Sequence, residues 1–77
     1  MKSKDITYHQ EFGLHLGELI KEKRSKPETV AAIGGIEPKA VYRVMNADHS
    51  PTLSILKAIA DGLGITVSEL LDFNYSN

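Results

Sequence analysis

The sequence predicts an all-α fold, a compact bundle of five short helices in one domain. Three observations carry that prediction. Apolar residues recur three and four apart through most of the 77-residue chain, the period of one helix face. Prolines, glycines and hydroxyl residues stand where such helices would start and stop. Nowhere do apolar and polar residues alternate as they would in a half-buried strand.

Phe12, Leu16, Leu19, Ile20 and the stem of Lys23 share one face and place a first helix over residues 9–24. Gly13 and Gly17 fall inside it, four apart. Each lowers helix propensity by about 1 kcal/mol relative to Ala, so a neighbour packed close on that side is expected. Ser25-Lys26-Pro27-Glu28 reads as a stop and a restart, because a proline in the first turn gives up an N–H that has no partner there. The second helix carries Val30, Ala31 and Ile33 and ends at Gly34-Gly35. Pro38 repeats the logic and opens a third helix, with Val41, Val44 and Met45 turned inward and Lys39, Tyr42, Arg43 and Asn46 outward.

After the loop Asp48-His49-Ser50-Pro51, Thr52 is the expected N-cap of a fourth helix with the inward stripe Leu53, Leu56, Ile59, Ala60 and Leu63. Gly62-Leu63-Gly64 supplies its stop. Thr66-Val67-Ser68-Glu69 is a capping box, in which hydroxyl and carboxylate each satisfy a free amide. It opens a fifth helix with Val67, Leu70 and Leu71 turned inward. The organisation expected is a flexible N-terminal arm over 1–8, a folded domain over 9–72 and a short polar tail over 73–77 that holds Phe73 and Tyr75.

Composition narrows the function. The absence of cysteine rules out a disulfide framework and a thiolate zinc site, and it fits a reducing, cytoplasmic setting. With 42% hydrophobic and 25% charged residues the chain is globular in composition rather than disordered. No apolar run approaches the roughly 20 residues of a membrane span, and the basic start lacks the apolar run of a signal peptide. Net charge is −1, unevenly spread: residues 21–43 hold six Lys or Arg against three acids, and residues 44–77 one Lys against four. A basic middle and an acidic end suggest two faces with different partners.

His9, His15 and His49 have no metal-ligand spacing and no cysteine partners. No Ser–His–Asp constellation and no glycine-rich phosphate loop stand out, and a packed bundle of this size leaves little room for a substrate pocket. The reading is therefore not an enzyme, with no metal and no cofactor.

Two helices joined by a tight glycine turn, with others to bury them, are helix-turn-helix anatomy. The residues also resemble a family, the Cro and phage-repressor (XRE-like) helix-turn-helix domains, over about residues 12–72. The densest likeness runs from Ser50-Pro51-Thr52-Leu53 through Ile59-Ala60-Asp61-Gly62-Leu63-Gly64-Ile65-Thr66-Val67-Ser68-Glu69-Leu70-Leu71. Phe12-Gly13 resembles the opening of the family's first helix. Ala31 matches the small residue on which its third helix packs, Gly35-Ile36 its turn, and Val41, Arg43 and Val44 its recognition helix. The resemblance implies a lambda-repressor-like fold for the 9–72 domain.

Departures from the family pattern are specific. Pro27 stands where the family usually places a phosphate-holding Gln, Ser25 for a Leu, Lys26 for a capping Ser, Gly34 for a Leu, and Ala47 for the Gly after the third helix. Many members pair an Arg on the first helix with a Glu on the third. The matching positions here are Ile20 and Met45, an exchange of both halves that removes a buried ion pair without stranding a charge. The two are expected to touch in the core.

The resemblance implies that the third helix, residues 38–46, enters the major groove of double-stranded DNA. Pro38, Lys39, Tyr42 and Arg43 then face base edges, and Arg43 suits guanine O6 and N7. Lys26, Asn46, His49 and Ser50 are the phosphate candidates. The function implied is a sequence-specific transcriptional regulator acting as a homodimer, with the fifth helix and Leu71, Phe73 and Tyr75 as candidate dimer surface. The alternative is a module that binds a small protein partner on the same scaffold, such as an antitoxin or an adaptor that leaves DNA alone. Neither reading involves a membrane.

Overall fold

A computed structural model describes residues 2–74, with side chains from Thr7 onward. Five helices follow one another: α1 (Lys2–Glu22), α2 (Pro27–Gly34), α3 (Pro38–Met45), α4 (Leu53–Leu63) and α5 (Val67–Leu70). No strand occurs among the described residues, so the all-α expectation holds.

The helix starts are set as the sequence implies. Pro27 and Pro38 each occupy the first turn of their helix, after an extended residue whose side chain caps nothing. The Thr52 hydroxyl accepts from the Ile55 N–H at 3.1 Å. Thr66 and Glu69 form the capping box, with Oγ1 accepting from the Glu69 N–H at 3.0 Å and Oε1 accepting from the Thr66 N–H at 2.9 Å. Such a cap contributes about 1 kcal/mol.

Four helices stop by one device, a left-handed residue whose successor's N–H reaches back to the last turn. Gly35 (φ 77°) and Gly64 (φ 73°) do this at no steric cost, and the Ile36 and Ile65 amides bond back to the Ala31 and Ala60 carbonyls, both at 3.0 Å. Arg24 (φ 54°) and Ala47 (φ 57°) adopt the same conformation with a Cβ present, a strain of roughly 1–2 kcal/mol each.

The core gathers Phe12, Leu16 and Ile20 of α1, Val30 and Ala31 of α2, Val41 and Val44 of α3, Ile59, Ala60 and Leu63 of α4, and Leu70 of α5. Leu16, Ile59 and Leu70 are wholly buried, and each such side chain stabilises the fold by about 1.5–3 kcal/mol. Ile20 and Met45 both join this apolar cluster, Ile20 buried and Met45 half-buried.

Glycines set the helix spacing. A Cβ on Gly13 would meet the Met45 carbonyl oxygen of α3, which is the close neighbour expected on that side; Gly17 has Met45 Cε 3.7 Å from its would-be Cβ. The α2–α4 contact is reciprocal: a Cβ on Gly34 would strike the Ala58 carbonyl oxygen, and one on Gly62 the Val30 carbonyl oxygen. The pairing order shows that α2 and α4 run antiparallel at this crossing. Gly34 and Gly62 are thus spacing residues inside their helices, and the stops fall one and two residues later.

Other expectations need correction. The first helix begins at Lys2, not at residue 9, and ends at Glu22, not at 24. No proline or glycine interrupts the chain before Gly13, so residues 2–8 of the expected arm belong to the helix; its end is set by the left-handed turn at Arg24. Leu53 is 75% exposed and Ile33 63%. Leu53 is the first residue of α4 and Ile33 lies late in α2, one residue before its end, and the helical period alone does not reveal which turns lie against a neighbour. Leu71 caps a fifth helix only four residues long and remains exposed.

Phe73 is not a free tail aromatic. Its ring lies 5.2 Å from Tyr8, 5.8 Å from Phe12 and 5.2 Å from His15, stacked on the imidazole at 25°. It meets its need for burial within the chain. Tyr75 lies outside the described residues. The surface also has more relief than a packed bundle of this size suggested. An open groove of about 440 Å³ runs between Glu11, His15, Glu18, Glu22 and the segment Phe73–Asn74. A smaller apolar cleft of about 190 Å³ lies between Tyr8, Phe12, Pro51, Leu56 and Leu71.

Candidate nucleic-acid interface

The turn between α2 and α3 fixes the angle at which the second helix is presented. Gly35 reverses the chain, the Ile36 side chain is half-buried against the core, and fully buried Ala31 lets α3 come close. Val41 and Val44 then lock α3 from beneath. Everything on the other side of α3 is open: Pro38, Lys39, Tyr42, Arg43 and Asn46 are all exposed.

Among the described residues neither Lys39 nor Arg43 is held by a carboxylate, the ion pair formed being Lys57–Asp61 on α4 at 2.9 Å. Both cations are therefore available to an external anion or base edge. Lys26 is the N-cap of α2 and exposed. Asn46 caps the far end of α3, and His49 and Ser50 are exposed in the loop that follows. The sequence-predicted residues therefore fall on α3, on the segment that follows it and, for Lys26, at the start of α2. Ser50 has an unexpected neighbour: its Oγ lies 3.2 Å from His9 Nε2 of α1, which orients the hydroxyl from behind.

Sequence reasoning missed Glu28. Its Oε2 accepts a hydrogen bond from the Tyr42 hydroxyl at 2.6 Å, joining the first turn of α2 to the middle of α3. The Tyr42 hydrogen bond, with its own backbone amide and Lys26 as further stabilising influences, holds the Glu28 carboxyl below the usual glutamate range against a small opposing effect of burial. The same bond raises the Tyr42 phenol above its ordinary value, helped by burial and by the Glu28 charge. The available signal was weak: a lone acid after Pro27 reads as a favourable charge at a helix N-terminus, and its partner is 14 residues away.

A family model for the Cro/C1-type HTH DNA-binding domain matches residues 15–76. The chain belongs to this family. No curated protein and no solved structure gives a significant match. The match spans all of α2 to α5 and most of the second half of α1, and as a Cro/C1-type domain the chain is a DNA-binding regulator in general character. Within the matched span, α2 and α3 are joined by the tight turn at Gly35-Ile36. No helix of the described residues is long and apolar enough to cross a membrane.

Proposed function

We propose that the chain is a sequence-specific regulator that lays α3 in the major groove of double-stranded DNA and acts as a homodimer in the cytoplasm. The observation that carries this reading is the division of α3 into two faces: Val41 and Val44 are buried while Lys39, Tyr42 and Arg43 are open and held by no ion pair among the described residues. In this reading Pro38, Lys39, Tyr42 and Arg43 meet base edges, and Lys26, Asn46, His49 and Ser50 meet phosphates. The protein works by binding, with no catalysis and no cofactor. A domain this small offers only about 600–1,000 Å² to DNA, so pairing two copies on half-sites roughly 34 Å apart supplies affinity that one copy lacks. Leu71, 37% exposed beside α5, belongs to the surface we assign to that pairing.

A second reading, a module for a small protein partner, draws on one feature. The first turn of α2 presents Pro27, which has no N–H, and the Glu28 carboxylate, both poor at holding phosphate. An anisotropy titration of random-sequence duplex DNA at two salt concentrations separates the readings. Micromolar binding that weakens steeply with salt, the mark of several neutralised phosphates, supports the regulator. No binding at low salt refutes it in favour of the protein-partner module.

A further inference from the structure

Tyr42 has one hydroxyl hydrogen, and that hydrogen is committed. It points at Glu28 Oε2, 2.6 Å away. A phenol has one donor hydrogen and acceptor lone pairs, and an ionised carboxylate has acceptors only. With the hydrogen spent on Glu28, the oxygen atoms of the pair offer acceptors and no donor to any third group. Pro27, beside Glu28, adds no N–H. The pair itself, where α2 meets the exposed face of α3, is therefore an acceptor element backed by an aromatic ring. Arg43, next along α3, is the converse, with five donors and no acceptor.

Resting on the major-groove reading above, we propose that the Tyr42–Glu28 pair is a specificity element that selects a base with an exocyclic amino group, adenine or cytosine, and rejects guanine and thymine at the position it faces. Adenine N6 and cytosine N4 are the donors of the major groove, whereas guanine O6 and N7 and thymine O4 are acceptors. An amino group can complete a hydrogen bond to the pair. A keto oxygen would face lone pairs with no hydrogen between them and a carboxylate charge behind them, an unmet contact in a desolvated interface. The tether also settles the ring before DNA arrives, which removes an ordering cost from binding. Consecutive residues thus read opposite chemistries: Tyr42 with Glu28 an amino edge, Arg43 a guanine edge.

The test is selection from a randomised duplex library, run in parallel with the unaltered chain, Glu28→Ala and Tyr42→Phe, followed by titration of the selected duplexes. Both side chains are exposed, and a thermal melt verifies that each variant folds. The unaltered chain should recover adenine or cytosine on one strand at one position, with exchange for guanine or thymine weakening binding roughly tenfold. In Glu28→Ala the phenol hydrogen is free to turn outward, so guanine and thymine become acceptable there while the guanine preference set by Arg43 persists. Tyr42→Phe should lose the same discrimination. A keto base recovered at that position, or an amino preference that survives Glu28→Ala, overturns the inference while leaving DNA recognition intact. Failure of the unaltered chain to bind any duplex at low salt overturns the regulator reading, and this inference with it.

Discussion

Alanine in place of Gly62 tests the crossing on which the helix-turn-helix rests. In an open helix interior this exchange gains about 1 kcal/mol. Here the new Cβ would fall against the Val30 carbonyl oxygen, with Val30 Cγ1 2.7 Å and the Val30 carbonyl carbon 2.9 Å away. Two of those three atoms are backbone and cannot rotate aside, so α4 and α2 must separate. Forcing one extra carbon into a packed seam costs about 1–3 kcal/mol, and a backbone obstacle places this case at the upper end. The net loss is then about 2 kcal/mol after the propensity gain. For a domain of this size that lowers Tm by roughly 8–16 °C. Gly17→Ala is the internal control: its Cβ would sit 3.7 Å from Met45 Cε, an ordinary contact, so it should raise Tm by roughly 4–8 °C. Both are read by thermal melts followed by circular dichroism. A Gly62→Ala variant more stable than the parent would refute the close approach of α2 and α4.

Three more outcomes are expected. Arg43→Ala should weaken binding to a selected site by about 1–3 kcal/mol and relax preference at one base; equal weakening on every duplex would make Arg43 a phosphate contact instead. Ala47→Gly relieves the left-handed strain at φ 57° and, after the entropy that glycine adds to the unfolded chain, should stabilise by about 0.5–1 kcal/mol in urea denaturation. His15→Phe should stabilise by about 1 kcal/mol, because His15 Nε2 is buried without a hydrogen-bond partner among the described residues and a phenyl ring can keep the stack on Phe73; a less stable variant would mean that a water serves that nitrogen.

What the sequence made legible is what neighbouring residues decide among themselves. Pro27, Pro38, Thr52 and the Thr66–Glu69 box act within one turn, so they could be read directly, and so could the division of α3 between Val41 and Val44 on one side and Lys39, Tyr42 and Arg43 on the other. What remained hidden depends on which distant element arrives. Leu53 obeys the helical period yet stands in water, since the period says nothing of where the core stops along α4. Phe73 reads as a loose tail residue until α1 extends far enough back to bring Tyr8 beside it. Glu28 and Tyr42 lie on separate helices, and only the angle set at Gly35-Ile36 joins them. Gly34 and Gly62 look like stops because glycine often is one, whereas a close crossing leaves no local trace.

The aromatic cluster around Phe73 closes the chain on itself. Tyr8 and Phe73 lie near opposite ends of the sequence, yet their rings are 5.2 Å apart, so the polypeptide runs out through the bundle and returns to where it set out. A tension applied to the two ends would reach this clasp before it reached α2 or α3. It would load the rings one after another, as in peeling, rather than shear the whole bundle at once. Helix α3 is thereby mechanically sheltered, and fraying at either end of the described chain loosens the contact between Tyr8 and Phe73.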